Sequence, residues 1–198
     1  MTHLSPEIEA KFLAINIDDM RHTLQQSGAK CTVPMRSMLR ATFHNTFMKT
    51  DKDAFLRVRN EGDKVTLTYK QFDHTGVDGA KEIEVEISDF TKTVEILQQA
   101  GISPSSIQES RRETWHMDTV EIVIDEWPWL KPYIEIEGPS ESAVKQAATK
   151  LGLDWNNAQF GDVMVAYRAE YPHLKETDTL STVSEVRFDQ PLPDLLLP

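Results

Sequence analysis

Charged and apolar residues alternate strictly along several short stretches of the chain, which is the pattern of a β-strand with one apolar and one polar face. In residues 7–12 this period of two puts Glu7, Glu9 and Lys11 on one face and apolar side chains on the other. The turn at residues 60–64 joins two further segments of this kind into a predicted hairpin. In all, the alternation predicts five strands, at residues 7–12, 55–59, 65–70, 81–87 and 133–137.

Three further segments also have strand character, at residues 31–44, 107–116 and 120–125, which brings the predicted total to eight strands. Helices are predicted where apolar residues recur every three or four positions, and a glycine follows three of these four segments. The four predicted helices lie at residues 16–27, 89–100, 140–151 and 162–171. This mixture, with strands in the majority, predicts an α+β fold.

The ionised faces of these strands either look into water outside the protein or line a wet interior. For a single strand the outer position is the usual one. Several such strands favour the interior, because Glu82, Glu84 and Glu86 would repel one another on an outer face. Eight antiparallel strands can close into a barrel that holds a small ligand. We therefore predict an eight-stranded antiparallel β-barrel with helices packed outside, covering apolar side chains such as Ile83 and Val85.

The helix and strand pattern is strong up to about residue 175 and weak beyond it. The 198-residue chain is long enough for one sizeable core. We expect one barrel domain over residues 1–175 and a C-terminal tail over residues 176–198. The tail ends in three consecutive leucines, which we expect to dock on the barrel or on a second subunit in a homodimer, because exposing them to water is unfavourable.

Charge and composition narrow the choice of partners. A formal net charge of −11 argues against nonspecific binding to nucleic acid or to anionic membranes, both of which need an excess of basic residues. The sequence contains no apolar run long enough for a membrane span and no secretion signal. The single cysteine, Cys31, rules out an internal disulfide framework and fits a reducing compartment. We therefore expect a cytoplasmic protein.

The order of the charged motifs resembles that of the CYTH superfamily, whose members are also called triphosphate tunnel metalloenzymes. The matching motifs are an opening Glu-x-Glu-x-Lys, an Arg-x-Arg hairpin followed by a lysine, a central Glu-x-Glu and a late Glu-Ile-Glu-Gly. They run in the family's order from about residue 7 to residue 171. The resemblance implies an eight-stranded tunnel that binds a triphosphate, such as tripolyphosphate, ATP or thiamine triphosphate, together with Mg²⁺ or Mn²⁺.

The resemblance also implies roles for individual residues. Its metal ligands match Glu7, Glu9, Glu135 and Glu137. Its phosphate-binding residues match Lys11, Arg40, Arg57, Arg59, Lys70 and Arg112. Its catalytic residues match Lys70, Glu84, Glu86 and Asp125. The chemistry is consistent, because carboxylates suit hard divalent cations and the planar guanidinium suits phosphate oxygens.

The sequence departs from the family at three positions where many relatives carry a basic residue, namely Leu13, Ser110 and Ala166.

The first hypothesis for function is a metal-dependent triphosphatase. An adenylyl cyclase that forms cyclic AMP and pyrophosphate is the second, because the same tunnel serves both reactions. A non-catalytic module that binds polyphosphate or nucleotide is the third. Trp127 and Trp129 could stack on an organic ring at the tunnel mouth, although packing on the barrel exterior is the favoured prediction for both.

Overall fold

The computed structural model of the protein describes residues 4–198, apart from the side chain of Asp51. The strands follow the predicted positions closely. In chain order they are β1 (Ser5–Glu7), β2 (Glu9–Phe12), β3 (Lys30–Phe43), β4 (Ala54–Asn60), β5 (Val65–Phe72), β6 (Ala80–Ile87), β7 (Pro104–Met117), β8 (Val120–Glu126), β9 (Tyr133–Glu137) and β10 (Glu185–Val186).

Nine of these strands form one antiparallel sheet that curves into a nearly closed barrel. Neighbouring strands follow the order β1-β6-β5-β4-β3-β7-β8-β9-β2. The two ends of this order meet because β1 and β2 are consecutive in the chain and are separated by Ile8 alone. Glu7 of β1 lies opposite Ala80 of β6, whereas Glu9 of β2 lies opposite Glu137 of β9. The barrel and its class are confirmed.

The predicted count of eight strands is wrong, because the first predicted strand divides in two at Ile8. The backbone N–H of Glu9 donates to the carbonyl oxygen of Val77 at 3.0 Å instead of pairing with β6. The switch lets one short segment bridge two different strands and bring the open edges of the sheet together. A segment with uninterrupted sequence alternation can still change its partner strand, because alternation specifies faces and leaves partners open.

The four predicted helices are confirmed. Asn16, Asp89 and Ser140 begin the first three, each accepting a hydrogen bond from a backbone N–H three residues later. None of the helices between Leu4 and Pro198 has the length and hydrophobicity needed to span a bilayer. The helices are α1 (Ile17–Gln26), α2 (Phe90–Gln99), α3 (Glu141–Lys150) and α4 (Met164–Glu170), with short helical turns at Met48–Lys52, Trp155–Asn157, Leu180–Thr182 and Asp194–Leu196.

The main hydrophobic core lies outside the barrel. Ile122 and Ile124 of β8 and Ile136 of β9 are fully buried there, in one cluster with Leu24 of α1 and Val144 of α3. A smaller cluster packs α2 against β4 and β5. The strands therefore carry their apolar side chains outward, towards the helices, and their polar side chains inward, as predicted.

The outer face of β6 does not follow this prediction. Ile83 and Val85 are 39% and 53% exposed. Helix α2 packs beside Val58 of β4, and it leaves these two side chains uncovered. The expectation that helices cover them is wrong, because alternation assigns a side chain to a face without saying whether a helix reaches it.

The C-terminal segment, residues 176–198, packs on the barrel. Its strand β10 pairs in parallel with β7. Leu180, Val186 and Leu196 are buried in a cluster that also contains Tyr167 of α4. Of the three consecutive leucines, Leu196 is buried and Leu197 is 48% exposed, so the segment docks through selected side chains.

Candidate functional site

The inward faces of the strands enclose a cavity of about 270 Å³ whose lining is dominated by charged side chains. The pleat brings every second residue of each strand to this surface, which is why segments distant in sequence meet there. The cavity contains eleven of the thirteen residues that the sequence assigns to the site. These are Glu7, Glu9, Lys11, Arg40, Arg57, Arg59, Lys70, Glu84, Arg112, Glu135 and Glu137.

Two buried lysines are paired with the acids predicted to bind metal. The ammonium of Lys11 lies 2.7 Å from Oε1 of Glu9 and 2.8 Å from Oε2 of Glu135. This contact follows from the register, because Lys11 lies directly opposite Glu135 on the neighbouring strand. Lys70 forms the equivalent ion pair with Glu7. The acids are thus held in place by lysine ammonium groups.

The acids near these lysines form one cluster whose members repel one another. They are Glu7, Glu9, Glu82, Glu135 and Glu137. Burial and the neighbouring carboxylate of Glu7 raise the pKa of Glu82 to about 7. Burial, Glu7 and Glu135 likewise raise the pKa of Glu137 to about 7. Burial and Glu135 also raise the pKa of Glu9. The cluster therefore holds more negative charge than its two lysines balance, and a cation would relieve the repulsion.

This donor set fits a hard divalent cation such as Mg²⁺ or Mn²⁺, because it offers several carboxylate oxygens in one polar cavity. Within residues 4–198, no three side chains of the ligating types are already assembled as a metal centre. The ammonium of Lys11 lies between the carboxylates of Glu9 and Glu135, and that of Lys70 is paired with Glu7. Metal binding would require these acids to exchange an ammonium partner for the cation.

The cavity lining also carries a group of arginines. Nη2 of Arg57 and of Arg59 lie 3.5 and 3.9 Å from the same oxygen of Glu84, and Arg59 is also paired with Glu61 at 2.6 Å. Arg40, 8% exposed, has no carboxylate partner within ion-pair distance in the described part of the chain. Its Nη2 donates to Oγ of Ser110 at 2.9 Å.

These three arginines have unused hydrogen-bond donors. The Nε atoms of Arg40, Arg57 and Arg59 are buried and have no acceptor. Burial, followed by repulsion from Arg57 and Arg59, holds the pKa of Arg40 well below its usual range. Unpaired buried donors are uncommon in native proteins, and a concentration of them indicates a missing partner. An anion with several oxygen atoms is the partner that this arrangement fits.

Asp125 is placed by the structure behind the cavity surface. Its carboxylate accepts two hydrogen bonds from Arg112, at 2.7 Å from Nε and 2.6 Å from Nη2, and the residue is 1% exposed. Arg112 in turn reaches Glu135 at 3.8 Å. The geometry therefore suits Asp125 to orienting Arg112.

Glu86 is not brought into the cavity. It lies opposite Thr66 on β5 and is exposed to solvent. Strand β1 pairs with β6 only from Ala80 to Glu82, so the stretch that carries Glu86 lies beyond that pairing. Its predicted catalytic role rests on the resemblance alone.

Several residues at or beside the cavity were not assigned to the site from the sequence. Glu82 was expected to face the interior with Glu84 and Glu86 but was given no role there. Glu61 was assigned to a turn, and nothing local in the sequence reports that its carboxylate is 3% exposed beside Arg59. Asp162 was treated as the start of a helix, although it lines the cavity. The prediction of exterior packing is wrong for Trp127, whose ring lines the cavity with the guanidinium of Arg40 4.4 Å above it.

Comparison with known proteins agrees with this geometry. Residues 5–158 match the family model described as CYTH domain. No curated protein matches the chain. Among solved structures, the fold is similar to that of the PH1012 protein from Pyrococcus horikoshii OT3, with 20% identity, a TM-score of 0.69 and coverage of 81% of this chain and 98% of that one.

Two further solved structures share the fold. A putative adenylate cyclase from Vibrio parahaemolyticus is 11% identical, with a TM-score of 0.70 and coverage of 83% of this chain and 98% of that one. A putative adenylyl cyclase from Hippeastrum is 14% identical, with a TM-score of 0.51 and coverage of 82% and 95%. The family match spans most of the barrel, and the protein belongs to the CYTH domain family.

Proposed function

We propose that the tunnel binds a triphosphate together with Mg²⁺ or Mn²⁺ and hydrolyses its terminal phosphate. The observation that carries this proposal is the set of buried arginine donors with no acceptor, Arg40 above all, in the cavity that also holds the acid cluster. A cavity that contains both unpaired cationic donors and clustered carboxylates suits a ligand that consists of a polyanion and a metal ion.

The arginines would bind the phosphate oxygens. Arg57 and Arg59 now share the carboxylate of Glu84 at 3.5 and 3.9 Å, which is longer than a good charge-assisted hydrogen bond. A phosphate group would offer them closer and more numerous acceptors, and Arg40 would gain an anionic partner. Binding would therefore strengthen the interactions of Arg40 and Arg57, whereas Arg59 is already paired with Glu61 at 2.6 Å.

Glu7, Glu9, Glu135 and Glu137 would hold the divalent cation, which when bound neutralises phosphate charge and so makes the phosphorus easier to attack. In the reaction, a water oxygen bonds to the terminal phosphorus, the bond to the bridging oxygen breaks, and Glu84 accepts the proton of the water. Arg57 and Arg59, which neighbour Glu84, stabilise the negative charge on the phosphoryl group under attack. Asp125 keeps Arg112 in position.

One experiment separates the candidate activities. The purified protein is incubated with tripolyphosphate, ATP or thiamine triphosphate, with Mg²⁺, Mn²⁺ or EDTA, and the products are separated by ion chromatography. Orthophosphate that forms only with added metal is the expected result. Cyclic AMP with pyrophosphate would replace the proposal with the cyclase reaction. Binding without any product would replace it with the non-catalytic module.

A matched pair of variants tests the assignment of Glu84. Glu84→Gln should retain the fold and lose most of the turnover, because the amide cannot accept the proton. Glu95→Gln makes the same chemical change at an exposed position on α2 and should leave turnover as in wild type. Equal rates for the two variants would remove Glu84 from the proposed mechanism.

A further inference from the structure

The C-terminal segment lies outside the part of the chain that the family match covers. That match ends at residue 158. The structure from Pyrococcus horikoshii is covered over 98% of its own length by only 81% of this chain. The chain therefore carries structure beyond what is needed to build the shared barrel.

This segment is fixed to the barrel where β7 begins. The backbone N–H of Ile107 donates to the carbonyl oxygen of Ser184 at 2.9 Å, and Oγ of Ser106 donates to that of Val183 at 2.6 Å. Further along, Nη1 of Arg187 lies 2.8 Å from Glu109. Backbone, hydroxyl and ionic contacts thus hold the segment in one register on β7.

The anchored segment extends to the tunnel. Thr179, Leu180 and Ser181 line the same cavity as the proposed site residues. Leu180 is 3% exposed and packs in one cluster with Met164 of α4 and with Trp127, which are 2% and 3% exposed. These closely packed side chains form the wall of the cavity on this side.

Two unpaired donors at this wall suit phosphate oxygens. Nε1 of Trp127 is buried and has no acceptor, and its ring lies against Arg40, whose Nε also lacks one. Gln108, Thr179 and Ser181 also line the cavity, where the amide of Gln108 donates to Oγ of Ser106 at 3.2 Å and Oγ of Ser181 donates to Oγ1 of Thr179 at 3.4 Å. Asp162 faces the cavity from the start of α4, where Oδ1 accepts a hydrogen bond from the backbone N–H of Met164.

We propose that the C-terminal segment determines substrate specificity by closing this side of the tunnel, so that only a triphosphate with an unesterified terminal phosphate fits against Trp127, Thr179 and Ser181. The inference rests on the proposed binding of triphosphate and adds which triphosphates are accepted. Any organic group must extend away from Leu180, because the packed side chains leave that direction filled. Steric exclusion of this kind gives specificity without an added attractive contact.

The first test uses ligands that differ in the number of unesterified ends. Tripolyphosphate has two, ATP has one, and diadenosine triphosphate has none. Their affinities are measured by calorimetry in EDTA, where no metal-dependent turnover occurs. We expect wild-type protein to bind the first two and to bind diadenosine triphosphate at least 100-fold more weakly than ATP. Equal affinity for ATP and diadenosine triphosphate would overturn the proposal.

The second test changes the wall itself. Ser181→Leu adds volume on the cavity side and should weaken tripolyphosphate binding at least tenfold, whereas Ser184→Leu makes the same change at an exposed position of the same segment and should alter it less than twofold. Leu180→Ala should raise the affinity for diadenosine triphosphate relative to tripolyphosphate at least tenfold. Thermal melting establishes whether each variant is folded. If one of the two cavity variants, Ser181→Leu or Leu180→Ala, fails to fold, the other still tests the proposal.

The outcomes distinguish this proposal from the proposed function. If the wild type binds the ligands in the expected order but releases no phosphate with Mg²⁺ or Mn²⁺, hydrolysis is wrong and the role of the segment stands. If phosphate is released but folded Ser181→Leu or Leu180→Ala protein binds all three ligands as wild type does, the role of the segment is wrong. Absence of tripolyphosphate binding by wild type would overturn both.

Discussion

Replacing Arg40 with methionine should weaken anion binding without destabilising the fold. Arg40 is 8% exposed, and the nearby Arg57 and Arg59 help to lower its pKa. Replacing buried ionic groups with apolar side chains of similar size often stabilises a protein by about 1–4 kcal/mol. Against this, the variant loses the ring contact with Trp127, about 0.5–1 kcal/mol, and the hydrogen bond to Ser110, about 1 kcal/mol. The balance of these contributions runs from about −1 to about +2.5 kcal/mol, so we expect at most a small loss in the free energy of unfolding.

Ligand binding should change in the opposite direction. A hydrogen bond to a charged group contributes about 1.5–3 kcal/mol, and about 1.4 kcal/mol corresponds to a factor of ten in affinity. Loss of one such interaction between Arg40 and a phosphate oxygen should therefore weaken tripolyphosphate binding about 10- to 100-fold. A residue kept for packing alone would show the reverse pattern, with lower stability and unchanged affinity.

Urea denaturation measures the free energy of unfolding, and calorimetry with tripolyphosphate in EDTA measures affinity. The matched control is Lys30→Met, which removes one positive charge from an exposed position on the same strand. At about 0.15 M salt its effect on binding should be small, because exposed charges are screened. If Arg40→Met is clearly less stable than wild type and binds tripolyphosphate equally well, the assignment of Arg40 as an anion-binding residue is refuted.

Three further predictions concern other parts of the structure. Glu9→Gln should fold and lose its metal-dependent turnover, because a proposed ligand loses its charge; wild-type metal titration curves would contradict this. Because the pKa of Glu82 is raised from 4.5 to about 7, its ionisation destabilises the metal-free fold as the pH rises through this range. Glu82→Gln should therefore be more stable than wild type above pH 7, by up to about 3 kcal/mol, and not below pH 4.5, as measured by urea denaturation in EDTA; equal curves at pH 8 would refute the shift. Ile83→Lys should change stability by about 0.5 kcal/mol or less because Ile83 is 39% exposed, whereas Ile122→Lys, at a fully buried position, should prevent folding; the two are compared by circular dichroism and melting.

The sequence was sufficient for features set by local periodicity. Alternation in residues 7–12, 55–59 and 133–137 assigned side chains to the inner or outer face of a strand, because the period of the pleat is two whatever the partner strand is. The glycines after three of the helices located their C-terminal ends, because this signal acts within one turn.

The barrel was predicted from a second kind of sequence information, which is the occurrence of charged faces on several strands. No single strand required an interior polar face, but the repulsion expected among glutamates on an outer surface favoured a barrel. The order of the charged motifs then brought the family resemblance, which the match over residues 5–158 bears out. Most members of the candidate site share the cavity because all of them lie on inward positions of one closed sheet.

Only the tertiary structure distinguished residues that have the same local sequence pattern but make different contacts. Glu84 and Glu86 alternate identically in sequence, yet Glu84 lines the cavity, where it lies 3.5 Å from Arg57 and 3.9 Å from Arg59, and Glu86 does not. Asp125 and Glu135 are both buried acids on adjacent strands, but Asp125 is held by Arg112 behind the cavity surface.

The sequence also does not indicate which element packs against each face of a strand. Nothing within residues 7–12 indicates that pairing changes at Ile8, and nothing near Ile83 indicates that α2 stops short of it. The position of Leu180 against the tunnel depends on contacts with β7 and α4, which are distant in sequence. Local pattern determines which face a residue occupies, whereas the partner of that face depends on strand register and long-range packing that only the folded chain contains.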